Sequence, residues 1–175
     1  MLDFTNAIEK ESVRLNTTPQ ADVKPDGMGT VQFVCHTKGD SDKVVEKAKA
    51  VLTLVNEHSR KAWPNNDQWR GILPEWFLAE CGPELTVEQA ERQVELERHL
   101  SFEQRAALER EARWSAADWT YWLHPDQRLW FWWDAALVTK NDFFVAIETH
   151  EWPFPSGALK WLLRACGADT VEAEM

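Results

Sequence analysis

Glu148 and His150 stand two residues apart in "FFVAIETH", a run that reads as a β-strand, so their side chains leave the same face. A carboxylate beside an imidazole can orient the ring as a general base. Asp134 poses a second question, because "LWFWWDAALV" (129–138) places it directly after Trp132 and Trp133 in an apolar run. A buried carboxylate needs a hydrogen-bond donor or else takes up a proton. Thr149, an indole N–H or an arginine from another element are the candidate donors. Left open to solvent beside indole faces, the same anion would attract a cation, with a cation–π contribution of about 0.5–2 kcal/mol. That cation would be an Arg or Lys of a protein partner, or a small amine. Trp152 follows His150-Glu151, and His124-Pro125-Asp126 supplies a third polar group that also suits a plain turn.

Other chemistry finds little support. Cys35 and His36 are strand neighbours and point to opposite faces. No two histidines have the spacing of a local metal motif, and neither a Gly-rich phosphate loop nor a G-x-S-x-G elbow occurs. No cofactor is called for. The three cysteines, Cys35, Cys81 and Cys166, are too scattered for a disulfide framework and read as reduced in a cytoplasmic protein.

The composition holds 11 Trp against 1 Tyr, and the positions decide how this is read. Trp114, Trp119, Trp122, Trp130, Trp132 and Trp133 fall in one twenty-residue stretch. An indole brings a large apolar area and one donor, which suits a core, an interface or a stacking pocket alike. A net charge of −10 disfavours nucleic acid and anionic membranes, and favours encounter with a basic protein. No apolar run is long enough to span a bilayer, and the first residues lack the pattern of a secretory signal.

These residues need elements to hold them. The 175 residues suit one domain, with 1–28 as a loosely packed or mobile N-terminal segment holding a short helix near 3–14. "TVQFVCHT" (30–37) alternates as a strand, and Ser41 is placed to cap a helix over 42–61 with Val44, Ala48, Val51, Leu52 and Val55 on its stripe. Short helical turns over 65–83 break at Pro74 and at Cys81-Gly82-Pro83. Thr86 with Gln89, and Ser101 with Gln104, are capping-box patterns that open charged helices at 87–99 and 102–113. Further helices are expected at 116–123 and 157–166, the last closed by Gly167. Residues 129–138 and 143–150 form a hairpin around "TKND". A symmetric turn pairs Leu137 with Phe144, Trp133 with Glu148 and Phe131 with His150, and sets Asp134 among Trp132, Val145, Ile147 and Thr149.

The expectation is therefore an α+β domain, a small antiparallel sheet (30–37, 129–138, 143–150) packed against several helices. Its function is expected to be protein recognition, of the inhibitor or immunity type, with a basic partner meeting Trp130, Trp132, Trp133, Asp134, Glu148, His150 and Trp152. A Trp-lined small-molecule pocket is the alternative, followed by a hydrolase drawing on His, Asp and Glu residues of 124–151. The aromatic hairpin would equally serve as a homodimer interface.

Overall fold

The computed structural model describes residues 3–16 and 29–174. Alternating apolar residues in three segments and a short fourth one build an antiparallel sheet of order β2-β3-β1-β4. β1 is Gly29–His36, β2 Trp130–Leu137, β3 Asp142–Thr149 and β4 Thr170–Ala173. One face carries Phe33, Cys35, Phe143, Val145, Ile147, Trp130, Trp132 and Val171, all buried. Against it lie α2 (Ser41–Ser59) and α8 (Gly157–Ala165), whose apolar stripes close the main core. α3 (Asn66–Ile72), α4 (Glu75–Glu80) and α7 (Ala116–Leu123) add Trp69, Phe77, Trp119 and Leu123 to it. This is the expected α+β domain.

α1 (Phe4–Asn16) buries Ala7, Ile8, Glu11 and Leu15. It runs along β2, the strand that pairs only with β3. An edge strand offers unpaired backbone groups, and here a helix covers them. The loose segment expected over 1–28 is thus a packed helix in its first part, and residues 17–28 lie outside the described residues.

Two local expectations need correction. Asp40, not Ser41, caps α2, because its carboxylate accepts the Asp42 N–H at 3.1 Å. Ser41 turns inward and its hydroxyl donates to the Lys140 carbonyl at 2.9 Å. The hairpin register also differs. Leu137 pairs with Phe143 and Asp134 with Ala146, then Trp132 pairs with Ile147, so Trp133 is an extra residue in a β-bulge. The bulge reverses the alternation of β2. Ala135 joins Trp130 and Trp132 on the core side, and Asp134 leaves the company of Trp132, Val145, Ile147 and Thr149 for the opposite side.

α5 (Val87–Arg98) and α6 (Phe102–Glu111) form an arm between α4 and α7. Both predicted capping boxes are present, at Thr86/Gln89 and Ser101/Gln104. No residue of either helix is buried.

Candidate functional site

The bulge decides the fate of Asp134. Its Oδ1 accepts the Ala135 N–H at 2.7 Å, a backbone donor at the point where the ladder is interrupted. Its Oδ2 meets Arg14 of α1 at 3.2 Å, and the same guanidinium donates to the Trp133 carbonyl at 2.9 Å. Arg14 also lies over the Trp133 ring, 4.1 Å from its centroid. The arginine of another element is thus the donor, and Asp134 with Trp133 is already occupied by a cation of its own chain. Trp130 and Trp132 are 2% and 1% exposed, so they offer no surface to a partner in this conformation.

A neighbouring network escaped the sequence reading. Arg128 is buried at the entrance to β2, with its Nη2 2.5 Å from Glu11 Oε1, its Nη1 3.2 Å from Asn56 Oδ1 and its Nε 3.0 Å from the Trp130 carbonyl. Glu11 also accepts the Trp132 N–H at 2.6 Å and the Asn56 amide at 2.8 Å. Burial pulls the Arg128 guanidinium down from its ordinary value, and the adjacent Glu11 carboxylate opposes that shift. A signal existed in the sequence. Ala7, Ile8, Glu11 and Leu15 share one helical stripe, and a carboxylate on a core-facing stripe demands a cation. With Arg14, this network ties α1 to the backbone of β2 at Trp130, Trp132 and Trp133.

The remaining predicted residues scatter. Glu148 is buried opposite Phe131, whereas His150 is exposed beyond the end of β3. His150, Glu151, the exposed Trp152 and Glu174 line an open hollow of about 550 Å³ beside Gly29–Gln32. Neither Glu148, Asp134 nor His124 lines that hollow. His124 Nδ1 accepts the Asp126 N–H at 3.1 Å and its ring stands edge-on to Trp63, the arrangement of a turn. Burial raises all three thiols, Cys35 to about 12 and Cys81 to about 11, which leaves them protonated and poorly nucleophilic. Among the described residues, no three His, Cys, Asp or Glu side chains are grouped to hold a metal ion, and no helix is long and apolar enough to cross a membrane.

The exposed apolar surface lies elsewhere, on the arm. Phe102 is 87% and Leu96 71% exposed, with Val87 and Val94 also open. Between residues 87 and 111 seven glutamates face four arginines, so the arm is acidic. Its base is fixed. Gly82 N–H donates to the Trp114 carbonyl at 2.8 Å, and Arg113 donates to the Ala79 and Glu80 carbonyls at 2.7 and 2.8 Å, closing the C-terminal end of α4. Glu84 accepts the Ala117 N–H at the start of α7 and pairs with Arg70. Arg164 of α8 donates to the carbonyls of Arg110 and Ala112, where α6 ends.

Comparison of the chain with known protein families, with curated protein sequences and with solved structures gives no match.

Proposed function

We propose that this protein is an acidic recognition module that docks onto a basic partner protein through the α5–α6 arm, acting as an inhibitor does by covering the partner's surface. One observation carries the reading: two helices with no buried residue display Phe102, Leu96, Val94 and Val87 to solvent. Helices of ten to twelve residues are marginal in water, and their stability in proteins comes from packing an apolar face. The arm has caps and a pinned base but lacks that face-to-face burial, which a partner would supply. Val87 and Val94, seven residues apart, share one face of α5 and Leu96 stands on the opposite one, so of the four Phe102 is the aromatic residue best suited to anchor a partner. The surplus of glutamates on the arm, within a chain of net charge −10, favours a rim of Lys and Arg on the other side.

The test uses the whole protein as bait in an extract of its source cells, beside a Leu96→Asp/Phe102→Asp variant. A basic protein retained at low salt, released at high salt and absent from the variant supports the reading. Retention of the same proteins by the variant overturns it. If the occupant is instead a second copy, sedimentation shows a concentration-dependent dimer that the variant abolishes, which replaces the basic partner with a homodimer.

A further inference from the structure

Where the arm meets the body there is a cleft of about 840 Å³, within the size range of small-molecule sites. Trp114 and Trp122 line it, both partly buried and both packed against the main core. Gly157, the first residue of α8, makes room for one of them, because a Cβ there would stand 2.7 Å from Trp114 Cζ2. The indole therefore lies directly against the helix and is held in place.

α8 lines the same cleft with Lys160 and Arg164, four residues apart and so on one helical face. Both are partly buried, and among the described residues neither forms an ion pair. Arg164 is spent on the carbonyls of Arg110 and Ala112, which are neutral, and desolvation by burial draws its guanidinium below the ordinary value. A second cavity of about 280 Å³ is lined by these two cations together with Arg110 and the exposed carboxylates Glu109, Asp169 and Glu172, none of which forms an ion pair with them among the described residues. The carboxylates on the cleft are Glu97, Glu109 and Asp118. Glu97 accepts from Gln93, while Glu109 and Asp118 are exposed and keep their hydration. The groups that lose water without gaining a counter-charge are thus the two cations of α8, and a half-desolvated cation is stabilised most by an anion.

We propose that this cleft binds a small organic anion with a flat apolar body, the body packing on Trp114 and Trp122 and the anionic group meeting Lys160 and Arg164. This is separate from recognition by the exposed side of the arm and does not depend on it. The two cations supply orientation, and the indoles supply most of the contact area.

The test compares two dyes of similar shape, anilinonaphthalene sulfonate and the uncharged N-phenylnaphthylamine, by fluorescence titration of the folded protein. The sulfonate dye is expected to saturate at one per chain and to bind more tightly than the neutral dye. Lys160→Gln should weaken the sulfonate roughly five-fold and leave the neutral dye unchanged, as loss of one partly exposed charge contact implies. Trp122→Phe, which keeps a flat ring for folding, should weaken both. Phe102→Asp, on the exposed side of the arm, should change neither, so failure of the docking reading and failure of this one are told apart. The proposal is overturned if the sulfonate dye does not saturate, if Lys160→Gln leaves its affinity intact, or if Phe102→Asp removes it.

Discussion

Replacing Glu11 by alanine strands the most deeply buried cation described in the protein. Arg128 is 1% exposed, and the Glu11 carboxylate is its only anionic partner among the described residues. Leaving one member of a buried ion pair alone costs about 3–5 kcal/mol, since desolvation remains and the attraction is gone. The Trp132 N–H and the Asn56 amide lose their acceptor as well, a further penalty that overlaps the first. Against a typical total of about 5–15 kcal/mol, this is a large share. With a urea slope of about 2 kcal/mol per molar, the unfolding midpoint followed by tryptophan fluorescence should fall by roughly 1.5–2.5 M. Amide exchange at Trp132 should accelerate in the same variant, because α1 is what covers that edge. A Glu11→Leu/Arg128→Met double variant should lose much less than the sum of its two single changes, because neither charge is then left buried alone. A Glu11→Ala midpoint within about 0.5 M of the parent, on that same slope, would show that water reaches Arg128 and that the network does not hold the helix.

Gly82→Ala brings a Cβ to 2.5 Å from the Arg113 carbonyl oxygen at the base of the arm. The expected cost is about 1–3 kcal/mol, with faster tryptic cleavage at the arm arginines, and unchanged proteolysis would mean the base does not restrain the arm. Asp142 is held below the ordinary carboxyl value near 3.8, chiefly by its hydrogen bond with the His36 ring and then by the Thr139 hydroxyl. A depressed acid adds stability above its unfolded value and loses it as pH falls through its folded value. Carboxyl NMR should therefore show Asp142 titrating below 3.8 and moving up in His36→Ala, and an unmoved midpoint would remove His36 as the cause.

The elements were legible where one physical signal dominated. The α2 stripe, both capping boxes of the arm and the breaks at Pro74 and Gly82 act through local backbone chemistry, and each is found where its residues place it. β4 is four residues long and carries one buried residue, Val171, too little for any period to show. The bulge was hidden for a different reason. Phe131, Trp132 and Trp133 are all apolar, so a reversal of faces among them leaves no mark on the pattern, and the Arg14 and Glu11 side chains that bind the bulged backbone lie some 120 positions away. Asp134 was recognisable as a carboxylate in need of a donor, but which donor was a matter of tertiary packing. The cleft residues Lys160 and Arg164 were visible only as ordinary charges on a helix, since what marks them is a cavity made by elements distant in sequence.

The lock between α1 and β2 also orders events during synthesis. Glu11 and Arg14 leave the ribosome before their partners Arg128 and Asp134, which follow 117 and 120 residues later. The same delay affects β1, whose two neighbours in the sheet, β3 and β4, are both made more than a hundred residues after it. Until then α1 has no β2 to settle on. Such distant pairings close slowly because the chain entropy is spent before the contacts form. The helix consequently waits on segments made more than a hundred residues after it before it finds a permanent place.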